Sequence, residues 1–122
     1  IVKDKKYLID YSKFELIYDN YINLLREIVK ISKENNVKII FLAQGTGIES
    51  EKNIFLTSFS QKAKNEMLRL GAIVIDTQEL INMHHNDKQK FFSNSGVHYS
   101  VKGSEMLSEF LVQKFEEYKI LN

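Results

Sequence analysis

The chain has 122 residues, enough for one domain that buries roughly two thirds of its unfolded surface. Hydrophobic residues make up 43% and charged residues 27%, a globular balance that argues against disorder. Lysine and arginine total 17 against 16 acidic residues, mixed along the chain to a net charge of +1, so there is no electrostatic footprint for nucleic acid or an anionic lipid surface.

Lys3, Lys5 and Lys6 open the chain as a basic cluster broken by Asp4, which reads as a solvated end. The first residue is Ile1 rather than Met and no secretory h-region follows, so the natural start is expected upstream. Ser12-Lys13-Phe14-Glu15 reads as a capping box, the serine hydroxyl accepting from an N3 amide while the glutamate reaches back. Behind it Phe14, Ile17, Tyr18, Tyr21, Leu24, Leu25, Ile28 and Ile31 recur at three- and four-residue steps, one apolar helical face from about 13 to 34. Asn35-Asn36 ends that helix, since asparagine tolerates a left-handed C′ conformation.

Val37–Ala43, "VKIIFLA", is short, β-rich and apolar but for Lys38, the pattern of a strand buried on both faces of a parallel sheet. A polar loop, "QGTGIESEKN", follows. Leu56, Phe59, Ala63, Met67 and Leu70 mark a second amphipathic helix, closed by Gly71 at C′. "AIVID", 72–76, is a second buried-type strand, and Asp76-x-x-Glu79 caps a short turn carrying Leu80 and Ile81. Residues 82–97, rich in Asn, His and Lys, read as a loop. Ser100 then caps a last helix with the stripe Met106, Leu107, Phe110, Leu111, Phe115 and Tyr118.

Helical crossovers between the strands give an α/β class with parallel strands, in a single domain spanning 1–122. Two parallel strands make a poor sheet on their own. Either "KKYLID", 5–10, supplies another strand or the rest of the sheet lies outside these residues, and the second is expected. No apolar run approaches the roughly 20 residues that span a bilayer. The absence of cysteine excludes disulfides and thiolate metal sites but leaves the compartment undecided.

Three groups of residues could carry chemistry. His98, between Gly96 and the Ser100 cap, reads as a helix-start residue of no consequence, a metal ligand, or a general base at a helix mouth. His84-His85-Asn86-Asp87 offers imidazole and carboxylate ligands, but adjacent histidines in extended backbone point to opposite sides, so a solvated loop is expected and no metal. Gly45-Thr46-Gly47 follows a strand as a phosphate loop does, yet Ser50 replaces the third glycine and no Lys-Ser/Thr pair follows; a loop lining a cleft is the better reading. Asp76, at a strand end, reads as a structural cap.

The block "SGVHYSVKGSEMLSEFL" resembles the C-terminal part of the SGNH (GDSL-type) hydrolases, a family of serine esterases and acyl-ester hydrolases. The match lies in His98, in Gly103 five residues on, and in the amphipathic helix that follows. "LGAIVID" resembles the family's last core strand, "NNVKIIFLAQGTG" the strand before it, and the helix over 12–34 the one feeding that strand. The resemblance implies a flavodoxin-like three-layer α/β/α fold, of which this chain is the C-terminal portion. It implies acyl-ester hydrolysis or acetyl transfer (an O-acetyl esterase or acetyltransferase), His98 as the catalytic histidine, a small acyl-ester or acetylated-glycan substrate, and no cofactor.

Two departures qualify it. The family's G-D-S and G-x-N-D blocks do not occur here, so the nucleophile is expected outside this chain. The aspartate of the family's D-x-x-H falls on Ser95, so either Ser95 or a backbone carbonyl orients the ring, or the site is dead. The alternative is a non-catalytic α/β binding or scaffold module. A sheet with an open edge invites a partner, either the protein's own N-terminal segment or a second copy.

Overall fold

A computed structural model describes residues 11–45, 54–84, 86, 88–93 and 98–121; for residues 11–12, 54–58 and 88–89 it describes the backbone alone. The fold is mixed α/β and mostly helical, with one two-stranded parallel sheet among the described residues. It divides into two compact units, Ile1–Val37 and Lys38–Asn122.

The first unit is built on α1 (Tyr11–Glu34). Its end follows the expected chemistry: Asn36 is left-handed at φ 53°. There the Asn36 amide donates to the Lys33 carbonyl at 3.2 Å and the Val37 amide to Ser32 at 2.8 Å. The helix already includes Tyr11 and Ser12, so Ser12 is not its N-cap as the capping box requires; the Ser12 side chain itself lies outside the described residues.

The apolar face of α1 is rotated from the expected one. Phe14, Ile22, Leu25 and Val29 are the buried side chains, whereas Ile17, Leu24, Ile28 and Ile31 are exposed. Apolar residues cover more than half the circumference here, so three- and four-residue steps can be threaded along two different stripes. Only the stripe through Ile22 and Val29 is withdrawn from water.

The second unit holds β1 (Ile40–Ala43), α2 (Ile54–Arg69), β2 (Ile73–Asp76), α3 (Thr77–Met83), α4 (Lys88–Phe91) and α5 (Val101–Glu117). The strands pair parallel in the register Ile40–Ile73 to Ala43–Asp76, so their carboxyl ends finish level. α2 packs on both strands. It ends at Gly71, which at φ 80° lets the Ala72 amide reach back to the Met67 carbonyl at 3.0 Å.

β1 is shorter and wetter than expected. Val37 is exposed, and within the strand Leu42 is 46% exposed while Ala43 is buried. With one neighbouring strand among the described residues, β1 lies at an edge of the sheet, and its Leu42 side chain stays in water. The segment "KKYLID", 5–10, lies outside the described residues.

The core forms around Ile75, Leu80, Ile81, Phe91, Phe92 and Phe110, with Met106, Leu107, Leu111 and Phe115 packed against them. Phe91 and Phe92 correct the reading of 82–97 as loop. Residues 88–91 make a helical turn, and both phenylalanines are buried. Their apolar area outweighs the polar residues around them. Tyr118, expected on the α5 stripe, is instead its exposed C-cap.

Candidate functional site

The carboxyl edge of the sheet is where open α/β folds bind ligands, because the loops there diverge and leave a crevice. In this chain the edge is organised by Thr77, which is only 2% exposed. Its hydroxyl donates to the Ala43 carbonyl at 3.0 Å and accepts from the Gly45 amide at 2.6 Å. The Tyr99 hydroxyl stands 3.2 Å from the same oxygen. Thr77 has one proton, already given to Ala43, so Tyr99 is the donor in that contact. One buried oxygen thus joins the end of β1, the end of β2 and the segment leading into α5.

Gly45 is required by this closeness. A Cβ there would stand 2.6 Å from the Ile81 Cδ1 and 2.8 Å from the Gln78 backbone nitrogen. Because its amide is spent on Thr77, Gly45 offers no donor to a phosphate. Thr46 and Gly47, the rest of that loop motif, lie outside the described residues.

Asp76 is a cap, as expected: Oδ1 accepts from the Gln78 amide at 3.0 Å and Oδ2 pairs with Lys64 at 2.9 Å. Both its oxygens are engaged at the mouth of α3.

His98 lies on the segment that Tyr99 anchors. Phe92 and Tyr99 form an antiparallel bridge, flanked by bonds from the Ser93 amide to the His98 carbonyl at 2.7 Å and from the Ser100 amide to Phe91 at 2.8 Å. Adjacent side chains in extended backbone point to opposite sides. Tyr99 packs against the core, its ring stacked on Phe92 at 5.3 Å, and His98 beside it is exposed. Ser95, the residue expected to orient the ring, lies outside the described residues.

The rest of the His98–Gly103 spacing has a structural cause. Ser100 Oγ accepts from the Gly103 amide at 3.0 Å and donates to the Lys90 carbonyl at 2.5 Å, capping α5 while holding α4. A Cβ on Gly103 would sit 2.1 Å from the Phe91 carbonyl oxygen, so only glycine lets the two helices touch.

His84 belongs to packing. It is the C-cap of α3, and its ring lies 5.4 Å from that of Phe91, tilted by 57°. His85 and Asp87 lie outside the described residues, and among those described no three His, Cys, Asp or Glu side chains gather. No helix of the described residues is long and apolar enough to cross a membrane.

Thr77 and Tyr99 escaped the reading of residue types, since neither belongs to a motif. The available signal was the inward–outward alternation beside His98, which makes position 99 face the core. No protein-family model matches the chain, and neither a curated protein nor a solved structure does so at a significant level.

Proposed function

We propose that this chain supplies the histidine side of an SGNH-type serine ester-hydrolase site, on a flavodoxin-like sheet whose remaining strands lie beyond the described pair. A serine from a G-D-S block, contributed by polypeptide outside these residues, attacks the acyl carbon of an ester or acetylated glycan. His98 takes the hydroxyl proton and returns it to the leaving alkoxide. Backbone amides and an asparagine from that same outside portion hold the oxyanion.

The observation that carries this reading is the position of His98. It is exposed one residue from Tyr99, whose hydroxyl is tied through Thr77 to the carboxyl ends of both parallel strands. With serine at 95, the ring is oriented by neutral hydrogen bonds rather than by a carboxylate.

The test is kcat/KM against pH for a simple aryl acetate in the complete protein. His98→Ala abolishes hydrolysis without unfolding the protein, and Ser95→Ala costs about tenfold or less. If residue 95 faces the imidazole, the carboxylate of Ser95→Asp favours the charged ring and raises its pKa. A base works only when neutral, so the acidic limb of the profile moves to higher pH. Wild-type activity in His98→Ala ends the proposal. A wild-type protein that hydrolyses no ester leaves the second reading, a non-catalytic binding module, which the missing G-D-S and G-x-N-D blocks favour.

A further inference from the structure

We propose that α1 is the interface of a homodimer, two copies pairing antiparallel through a heptad-spaced apolar seam. The proposal is independent of the role given to His98. Ile17, Leu24, Ile28 and Ile31 are 56%, 62%, 48% and 54% exposed. With Tyr21, half-buried between them, they recur in alternating steps of four and three residues from 17 to 31. That period of about 3.5 is the spacing of a two-stranded coil seam rather than of a helix lying on a sheet. The stripe stands about 110° round the helix from Phe14, Ile22, Leu25 and Val29, so α1 carries two separate apolar faces.

The charges beside the seam select the partner. On the flank away from the buried face stand Lys13, Asn20, Glu27 and Glu34, all exposed. In a parallel pair this flank faces the Tyr18, Leu25 and Ser32 flank of the other helix, and no ion pair forms. In an antiparallel pair the flank faces itself reversed. Lys13 then stands opposite Glu34 of the second copy, twice by symmetry, and Asn20 opposite Glu27.

The same register layers Ile17 on Ile28 and Tyr21 on Leu24 of the second copy. No layer places a charge in the seam. Asn36, left-handed at φ 53°, ends the helix where the seam ends. A helix with one basic and two acidic groups so placed is complementary to itself reversed, which is why the occupant is a second copy.

The chain has no cysteine, so single cysteines report the geometry without background. The 122-residue chain is studied by sedimentation equilibrium from 5 to about 500 µM, a range that covers weak association constants. We expect a dimer that Ile28→Lys weakens at least about tenfold with unchanged circular dichroism, since residue 28 is exposed in each copy. Lys13→Glu weakens it about threefold to tenfold, and adding Glu34→Lys to that variant restores it.

Under oxidation, a mixture of Ile17→Cys and Ile28→Cys cross-links while neither variant does so alone. A chain that stays monomeric throughout the range overturns the proposal. So does a dimer indifferent to Ile28→Lys, as pairing through a sheet edge would be. Self-cross-linking of Ile17→Cys alone means a parallel pair and overturns it too, as does failure of the charge swap to restore affinity.

Discussion

In the unit beginning at Lys38, Phe91, Ile81, Ile75 and Met67 are each at most 1% exposed, and the exposed positions around them are mostly polar. In α1, by contrast, Ile17, Leu24, Ile28 and Ile31 stand about half in water beside four buried neighbours. The second unit gathers its best-buried apolar side chains into one interior, although Leu42, Leu68, Met83, Val101 and Val112 stay at its surface. In the first unit, α1 has more apolar side chains than one face can bury. An excess of this kind is what an interface looks like before its partner arrives. A core, in turn, is recognised by how little freedom it leaves its backbone.

That contrast is sharpest at Gly103. Adding one methyl group there drives a Cβ to within 2.1 Å of a backbone oxygen that α4 cannot easily move. Gly103→Ala is therefore expected to destabilise the second unit by about 3 kcal/mol or more, the range of severe overpacking. The measurement is the thermal or denaturant midpoint followed by near-ultraviolet signals of the buried phenylalanines and tyrosines. A loss below about 1 kcal/mol would show that α4 and α5 slide apart freely, and the contrast between units would fail.

The next effect separates the two faces of α1 by adjacent residues. Leu25 is 7% exposed and Leu24 62%. Leu25→Ala is expected to cost about 2–4 kcal/mol through lost burial and a cavity. Leu24→Ala costs less than about 0.5 kcal/mol at protein concentrations too low for dimers. Hydrogen exchange of α1 amides reads both. Equal losses would mean that both stripes are buried, and reversed losses that the helix is turned by a residue.

The rotation of α1 also shows what a sequence of this kind can and cannot disclose. Caps were legible because their chemistry is local. Asn36, Gly71, Asp76 and Ser100 each act on amides or carbonyls within a few residues, and all four sit where residue type placed them. The faces were not legible in α1, because an apolar arc wider than a half-turn fits two stripes and only tertiary neighbours choose between them. The same holds for Phe91 and Phe92, hidden in a polar stretch until Phe110 and Leu80 give them a core to enter. Of the site, His98 was marked by its neighbours in sequence. Thr77 and Tyr99, joined by a contact spanning 22 residues, were not.

Thr77 tests how much of the second unit's order comes from that polar junction. Thr77→Val keeps the shape but strips partners from the Gly45 amide, the Ala43 carbonyl and the Tyr99 hydroxyl. Three buried groups left short cost about 2–3 kcal/mol together. Tyr99→Phe removes one donor and leaves Thr77 its other two bonds, for about 1 kcal/mol. Combining them should cost less than the sum, because valine has already orphaned the tyrosine hydroxyl. Strict additivity in a double-mutant cycle would mean that the 3.2 Å contact carries no energy.

The smallest expected effect lies on the surface of the second unit, where Lys114 straps α5 to α3. Its Nζ lies 3.2 Å from Glu79 and 3.4 Å from Glu117, and 5.4 Å from the centre of the Phe110 ring. Partial desolvation pulls its pKa down, but the hydrogen bonds and charges of Glu79 and Glu117 outweigh it, and the net direction is up. A lysine whose pKa is raised on folding binds its proton more tightly in the native state. Its contribution is then fully present below the unfolded value, near 10.4, and is lost as pH rises through the folded value above that. Lys114→Met keeps the stem and removes the charge. The difference in midpoint between wild type and this variant should be constant from about pH 7 to 9.5 and shrink above about 10.5. Tyrosine ionisation is common to both proteins and cancels in the difference. At neutral pH the gap is expected to be about 0.5 kcal/mol, since Glu79 and Glu117 remain largely in water. A gap that widens with alkali would show that desolvation, not the two glutamates, governs Lys114.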